Sequence, residues 1–177
     1  MDFEYTLKTD IPIDVVFNAL RDDLSKLVEY LPNVKKIEMV ERKKIKDRVL
    51  LLNKWYGKYQ LPVIVNKLLN INEIAWLDKA EWISGEYACI WDFEPLIFKD
   101  YVSAHGKNFY TTDGKHTVIK VTGVLDVDFG KHPLVPFLLK NRINQEVSKI
   151  SLGLIKPNFV NLLKGLEKYL KEQGKQH

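Results

Sequence analysis

The carboxyl group of Asp78 is the side chain in this sequence best suited to acid–base chemistry or to holding a ligand. Residues 75–83 and 86–94 have the pattern of two strands joined at Ser84-Gly85, and in a two-residue hairpin residue i lies opposite residue 169 − i. One face of this pair then carries a mostly aromatic set: Trp76, Asp78, Ala80, Trp82, Tyr87, Cys89, Trp91 and Phe93. In this register Asp78 stands opposite Trp91. Aromatic walls remove water from a carboxyl group and raise its pKa, which suits a proton donor or a polar anchor.

Other interpretations compete with that role. Asp78 could instead lie at the rim of the sheet, in water or beside a lysine, where it would have no chemical function. Tyr87 and Tyr110 could point a hydroxyl group toward a ligand, because a buried tyrosine hydroxyl usually finds a partner, but a plain core position fits them equally well. The catalytic residues therefore stay unknown at this point, with Asp78 as the candidate.

The histidines and the cysteine do not form a metal site or a nucleophilic motif. His105, His116, His132 and His177 show neither a His-x-His nor a His-Glu-x-x-His spacing. Cys89 falls on the inward face of its strand and is expected to fill space as a small apolar side chain. The sequence contains no Gly-x-Ser-x-Gly and no phosphate loop. We expect no metal and no cofactor.

A second hairpin, around Asp113-Gly114, predicts where the sheet leaves room. With a two-residue turn, residue i pairs with residue 227 − i, so that Gly123 faces Ala104 and Gly106 faces Val121. The concave face then carries Val102, Ala104, Gly106, Asn108 and Tyr110 together with Thr117, Ile119, Val121, Gly123, Leu125, Val127 and Phe129. Small side chains at this place either let a long sheet bend or bend it and also open a pocket.

The composition is that of one globular domain. The sequence has 177 residues, 46% apolar and 28% charged, with a net charge of +4, and a chain of this length buries enough surface to fold without a disulfide or metal. Its single cysteine is compatible with a reducing cytoplasm. The acidic N-terminus turns at once into strand-like alternation, which argues against a secretory signal, and no apolar run approaches the ~20 residues of a transmembrane helix. We expect a single cytoplasmic domain over residues 1–177 without a transmembrane segment.

The order of the elements predicts an α+β fold. Residues 2–8 alternate as a strand, Pro12 then opens a short helix, and a second short helix should end before Pro32. Residues 34–130 have the pattern of strands. The exception is 57–70, which fits either a short helix or an apolar flap.

An apolar stripe predicts a long C-terminal helix that begins near Pro133 or Pro136. Its members recur at three- and four-residue steps: Ile143, Val147, Ile150, Leu154, Ile155, Phe159, Leu162, Leu163, Leu166, Tyr169 and Leu170. Pro157 follows Gly153 by four residues inside this stripe and predicts a kink or a break. A helix that follows an uninterrupted series of strands can bury its stripe only against the concave face of their sheet.

This order resembles the START-like superfamily, also called SRPBCC, which has the helix-grip fold of the birch-pollen-allergen proteins and polyketide cyclases. The segments that carry the resemblance are 10–17, 31–37, 117–123 and 156–159. It implies a curved antiparallel sheet of about six to seven strands wrapped around the long C-terminal helix, with two short helices after the first strand. It also implies a cavity between helix and sheet for hydrophobic or amphipathic small molecules. Cyclases, dehydratases, hydrolases and chaperone co-activators share this fold, so the fold alone identifies no reaction.

The sequence therefore predicts binding or transport of a hydrophobic small molecule, such as a lipid, a quinone or a polyketide. The expected ligand-binding residues are Trp76, Asp78, Trp82, Tyr87, Cys89, Trp91, Ala104, Gly106, Tyr110, Val121, Gly123, Leu154, Phe159, Leu162 and Leu166. Residues 57–70 could gate the cavity. Two alternatives stay open: a cyclase or dehydratase with Asp78 or a tyrosine as its acid–base group, and a protein-interaction module with a filled core.

A basic cluster predicts at most an electrostatic contact with a further partner. Arg42, Lys43, Lys44, Lys46 and Arg48 lie at the tip of a predicted hairpin, where charge usually serves to keep a turn solvated. Transient contact with an anionic membrane surface is the second interpretation. Nucleic acid is the weaker option, because no exposed aromatic platform accompanies the cluster.

Overall fold

The structure of the protein, a computed structural model, describes residues 1–58 and 74–174, apart from the side chain of Leu154. Seven strands in this part of the chain form one antiparallel sheet in the order β1-β7-β6-β5-β4-β3-β2. Their bounds are β1 Asp2–Thr9, β2 Val34–Ile45, β3 Arg48–Gly57, β4 Ile74–Ile83, β5 Ala88–Pro95, β6 Val102–Thr112 and β7 Thr117–Val127. Most of the segment 57–70, predicted as a helix or a flap, lies outside the described residues.

Two helical stretches follow the first strand, as predicted. Helix α1 spans Ile13–Asp22, begins directly after Pro12 and carries Asp14 in its first turn, where the positive end of the helix dipole favours a carboxylate. A 3₁₀ helix over Leu24–Tyr30 comes next and ends before Pro32.

The C-terminal helix is continuous through its proline. A 3₁₀ turn over Phe137–Leu139 leads into α2, which spans Lys140–Gly174 and contains Pro157. Of the predicted kink or break, the break is therefore wrong, and the kink stays a prediction. The proline ring approaches the carbonyl group of Gly153. Gly153 is exposed and has open space where a side chain would stand. The helix can therefore accommodate the ring with the loss of one hydrogen bond.

The hairpin between β6 and β7 differs from its predicted register by two residues. Its turn has four residues instead of two, because the Oδ1 atom of Asp113 accepts hydrogen bonds from the backbone N–H groups of Lys115 at 3.1 Å and His116 at 2.8 Å. Gly106 consequently pairs with Gly123 and not with Val121. Side chains alternate with a period of two, so this shift leaves every residue on its predicted face.

The hairpin between β4 and β5 deviates in the same way. Its turn runs from Ser84 to Tyr87, and Tyr87 takes a left-handed conformation with φ 47°. Asp78 therefore pairs with Phe93, and the predicted partner Trp91 lies opposite Ala80. Apart from Tyr87, which now belongs to the turn, the inward set of side chains is again unchanged.

The core shows that the sheet wraps around the second half of α2. One cluster of buried side chains draws on six strands, α1, α2 and the 3₁₀ helix over Leu24–Tyr30: Leu7, Val16, Phe17, Ala19, Leu20, Leu27, Val49, Leu51, Ala80, Trp82, Cys89, Tyr110, Ile119, Val121, Leu163 and Leu166. A second cluster joins Val102, Leu125 and Phe129 to Ile143 at the start of α2. Between these two clusters the helix and the sheet stand apart.

Candidate functional site

A cavity of about 310 Å³ lies between the concave face of the sheet and α2. Strands β3 to β6 supply its wall on one side, and α2 supplies Ile150, Ile155 and Phe159 on the other. The volume falls in the range of small-molecule sites. The alternative of a filled core is therefore wrong.

Most of the predicted ligand-binding residues meet in the wall of this cavity. They are Trp76, Asp78, Trp82, Cys89, Trp91, Ala104, Tyr110, Phe159 and Leu162. They come from β4, β5, β6 and α2, and inward alternation along each strand turns them to the same side. A role in binding a ligand remains a prediction for each of them.

Of the remaining predicted residues, all but Leu154 lie elsewhere. Val121 and Leu166 are fully buried in the core. Tyr87 belongs to the turn after β4, and its hydroxyl group donates a hydrogen bond to Asp14 of α1 instead of pointing into the cavity. The side chain of Leu154 lies outside the described part of the structure.

The two glycines of the sheet do not line the cavity, which goes against the second of the two predicted alternatives, a bend that also opens a pocket. A Cβ atom on Gly106 would stand 2.4 Å from Cζ2 of Trp91, and one on Gly123 would stand 2.5 Å from Cζ of Phe3. The rings of Phe3 and Trp91 lie against these backbones and stack on each other with centroids 6.2 Å apart. The absent side chains thus create a seat for two aromatic rings, and the cavity begins beyond Trp91.

Asp78 is half-buried in the middle of β4 and faces the cavity, so its placement at the rim of the sheet is wrong. Strand β4 has a neighbour on each side, and Asp78 pairs with Asn53 of β3 and Phe93 of β5. The Nε1–H group of Trp55 donates a long hydrogen bond of 3.4 Å to its Oδ2 atom. Burial raises the pKa of Asp78 from 3.8 to about 6, against the lowering effect of hydrogen bonds from Asn53 and Trp55.

Trp55 and Asn53 of the site were not predicted from the sequence, and Asn108 was predicted on the concave face but not among the site residues. Trp55 stacks on Trp76 with ring centroids 5.6 Å apart and an interplanar angle of 17°. Asn108 lines the cavity and accepts a 3.0 Å hydrogen bond from the indole N–H of Trp91, which fixes that ring. Asn53 contacts Asp78. The sequence does contain a signal for Asn53. It stands between Leu51 and Trp55 in a series of inward-facing residues, which indicates a polar side chain on the inner face of the sheet.

The other reactive side chains lack the setting for catalysis. Burial raises the pKa of the Cys89 thiol well above its usual value, with a smaller contribution from Asp78, so the thiol stays protonated and unreactive. Within residues 1–58 and 74–174, no group of three or more His, Cys, Asp and Glu side chains could hold a metal ion. Asp78 supplies the one carboxyl group among the described residues of the cavity wall.

The basic hairpin tip is exposed and partly ion-paired. Residues 40–48 all face solvent. Arg42 bonds to Asp22 at 2.7 Å, and Arg48 bonds to Glu81 on the neighbouring strand.

None of the helices in the described residues has both the length and the apolar character that a membrane crossing requires.

Solved structures with this architecture include proteins of several kinds. The chain matches TTHA0849 from Thermus thermophilus at 20% identity and a TM-score of 0.62, over 95% of each chain. It matches Ara h 8.0201 at 19% identity and a TM-score of 0.60, over 97% of this chain and 98% of the other. It matches the Zhui aromatase/cyclase from Streptomyces sp. R1128 at 13% identity and a TM-score of 0.58, over 96% and 95%.

These likenesses establish the fold. No protein-family model matches the sequence, and no curated protein matches it significantly. The seven-stranded antiparallel sheet, the short helices after β1 and the long C-terminal helix match the helix-grip fold. The predicted START-like, or SRPBCC, fold is confirmed.

Proposed function

We propose that this helix-grip domain binds an amphipathic small molecule in the cavity between the sheet and α2. The apolar body of the ligand lies along the aromatic wall, and one polar group of the ligand meets Asp78. The observation that carries the proposal is a cavity of about 310 Å³ with a carboxyl group on an otherwise mostly apolar wall. A carboxyl group in such a place costs stability, and function is the usual reason for retaining it.

The aromatic wall favours a flat or extended apolar body. Trp55 and Trp76 stack face to face, and Phe93 continues the surface with its centroid 5.7 Å from that of Trp76. Leu162 and Phe159 cover this surface from α2. Planar rings and unsaturated chains gain most from such contacts.

The protonation of Asp78 determines which ligand group it can bind. With a pKa of about 6, the group is mostly a carboxylate at pH 7 and accepts a hydrogen bond from a hydroxyl or amine of the ligand. Below pH 6 it becomes a donor and suits a ligand carbonyl. The neutral probe N-phenyl-1-naphthylamine, which carries one N–H donor, should therefore bind with 1:1 stoichiometry at pH 7, as fluorescence titration and native mass spectrometry would show. Absence of uptake, by a protein shown to have been purified free of ligand, would refute the proposal.

Filling the cavity should abolish this binding. Ala104 lines the cavity between Phe93 on β5 and Leu125 on β7, and the Ala104→Trp variant places an indole in the space of the ligand. We expect at least about tenfold weaker probe binding, since the cost of displacing that ring exceeds 1.4 kcal/mol. The matched control is Ser103→Trp, one residue away on the exposed face. Equal probe affinity in both variants, with both folded by circular dichroism, would place the ligand elsewhere.

The second candidate is an enzyme, and the pKa of Asp78 is the observation that favours it. A carboxyl group with a pKa of about 6 can both donate and accept a proton near neutral pH. In a dehydration it would protonate the departing hydroxyl, which leaves as water, and then take the proton from the adjacent carbon. Asp78→Asn should abolish formation of the enone from 4-hydroxy-4-phenylbutan-2-one, followed by absorbance, and retain binding of 2-methoxynaphthalene, which has no donor group. Unchanged turnover in the variant would exclude Asp78 as the acid–base group.

A further inference from the structure

Three large apolar side chains project into solvent between β7 and α2. Leu134 is 67% exposed, Phe137 83% and Leu138 89%, and we refer to these three residues as the apolar tip. They stand close together in sequence, in Pro133-Leu134-Val135-Pro136-Phe137-Leu138. Single exposed apolar residues are ordinary, but adjacent ones with this degree of exposure mark an interaction surface.

The segment that carries the apolar tip is anchored in the core. Phe129 and Ile143, on either side of the tip in sequence, and Val135, within it, are almost completely buried. The backbone N–H of Phe129 donates a 2.7 Å hydrogen bond to the side chain of Asn144 on α2, and the N–H of Leu139 donates a 2.8 Å hydrogen bond to the Pro136 carbonyl. The buried Val135 fixes which way its neighbours face, so the fold itself presents the tip outward.

The anchor of the tip also contacts the wall of the cavity. The ring of Phe98 lies edge to face on that of Phe129 with centroids 5.3 Å apart, and Phe98 and Ile97 line the cavity. The ring of Tyr101 also stacks on that of Phe129, with centroids 5.4 Å apart. The loop between β5 and β6 therefore joins the cavity wall to the base of the tip.

Basic side chains predominate along the chain around the tip, and the carboxylate of Asp128 at its base accepts a hydrogen bond from the backbone N–H of Gly130. Residues 129–145 contain Lys131, Lys140 and Arg142 and no Asp or Glu. The ammonium group of Lys140 bonds to the Gly130 carbonyl, which holds it against the same segment. Exposed apolar side chains bordered by lysine and arginine complement a bilayer whose headgroups are anionic and whose acyl chains lie just beneath.

We propose that the apolar tip docks this protein on the surface of an anionic phospholipid bilayer. Phe137 and Leu138 enter the boundary between headgroups and acyl chains, and Lys131 and Arg142 contact the phosphates. Docking in this orientation brings the loop that carries Ile97 and Phe98 toward the lipid. The proposal uses the surface alone, so it stands whether or not the cavity binds the ligand proposed above.

Vesicle co-sedimentation tests the docking. The protein should bind phosphatidylcholine vesicles that contain phosphatidylserine and bind phosphatidylcholine alone more weakly. The double variant Phe137→Ser/Leu138→Ser should weaken binding at least about tenfold, because it lacks the two apolar side chains whose transfer from water into the bilayer favours binding. The matched control is Met39→Ser/Val40→Ser, which removes two apolar side chains exposed by 46% and 57% on β2. Binding that is absent in the wild type, or lost equally in both variants, overturns the proposal.

A site-specific label separates this surface from the basic hairpin tip. Cys89 is buried, so a thiol-reactive nitrobenzoxadiazole label should react selectively with a Phe137→Cys variant. Its emission should shift to the blue on anionic vesicles, whereas the same label in a Val40→Cys variant should not respond. The opposite pattern, or loss of vesicle binding in Lys43→Ser/Lys44→Ser alone, would assign the membrane contact to the hairpin. A wild-type dimer that Phe137→Ser/Leu138→Ser dissociates in analytical ultracentrifugation would instead make the tip an interface between two copies, and the proposal would fail.

Discussion

Replacing Gly106 with alanine is expected to destabilise the protein by about 3 kcal/mol, at the upper end of the usual cost of overpacking. The new Cβ atom would stand 2.2 Å from the carbonyl oxygen of Thr122 and 2.9 Å from the Cα of Gly123. Both are backbone atoms of the neighbouring strand, so neither can move without disturbing the ladder between β6 and β7. A third contact, 2.4 Å to the ring of Trp91, would push the indole from its seat.

Urea unfolding measures this loss, and Gly85→Ala is the matched control. Gly85 lies in the turn after β4, where the nearest atom to an added Cβ is the carboxylate oxygen of Asp47 at an ordinary 3.7 Å. Its variant should therefore unfold close to the wild-type midpoint. Equal midpoints for the Gly106 and Gly85 variants would mean that the ring of Trp91 moves aside at little cost. The contact with Gly106 would then not determine the position of Trp91.

The Asp78→Asn variant is expected to gain up to about 3 kcal/mol of stability at pH 7. The pKa of the folded carboxyl is about 6 and that of the unfolded chain is near 3.8, and each pKa unit corresponds to 1.36 kcal/mol. The amide is uncharged and can still accept the hydrogen bond from Trp55. Such a gain would identify Asp78 as a residue that the protein retains despite its cost to folding.

The pH dependence of this gain has a defined sign. Below about pH 4 both the folded and the unfolded chain hold the proton, so the carboxyl group costs nothing. Between pH 4 and 6 the unfolded chain ionises first, and the free energy of unfolding of the wild type falls as the pH rises. Above pH 6 both states are ionised and the full cost remains. Asp92→Asn, on the exposed face of β5, is the control for the loss of a carboxylate. A flat difference between Asp78→Asn and the wild type from pH 4 to 7 would contradict the raised pKa.

The same variant should lose selectivity for a donor group on the ligand. At pH 7 we expect the wild type to prefer 2-naphthol over 2-methoxynaphthalene by about tenfold or more, since a hydrogen bond to a charged acceptor is worth about 1.5–3 kcal/mol. Asp78→Asn should reduce this preference and leave the affinity for the methyl ether nearly unchanged. Equal preference in both proteins, measured by calorimetry, would place the polar group of the ligand away from Asp78.

Alternation along the strands was enough to predict which side chains face inward. Trp76, Trp82 and Ala104 reach the cavity wall even though both hairpin registers were two residues off, since an even shift keeps every side chain on its face. The registers themselves depend on side chains in the turns. Asp113 stabilises a four-residue turn through its own carboxylate, and Tyr87 takes a left-handed conformation that few sequence patterns indicate.

Contacts between distant segments could not be predicted from local pattern. The seat at Gly123 is filled by Phe3, which is far away in sequence and comes near because β1 pairs with β7. The environment of Asp78 depends likewise on Asn53 and Trp55, which a different strand contributes. The local sequence shows only that a residue is small or carries a carboxylate. The order of the strands determines whether the small residue leaves a gap and whether the carboxylate is exposed to water.

Pro157 has a consequence for how α2 moves. Because proline has no N–H, the Gly153 carbonyl receives no helical hydrogen bond, and this turn is where the helix can pivot at the least enthalpic cost. The part after it is held by Leu163 and Leu166 in the core and carries Phe159 and Leu162 along the cavity. The part before it is held by the buried Ile143 and carries Val147 and Ile150 along the cavity. We expect the helix to bend most easily at this turn, and amide hydrogen exchange should be faster there than in the turns on either side.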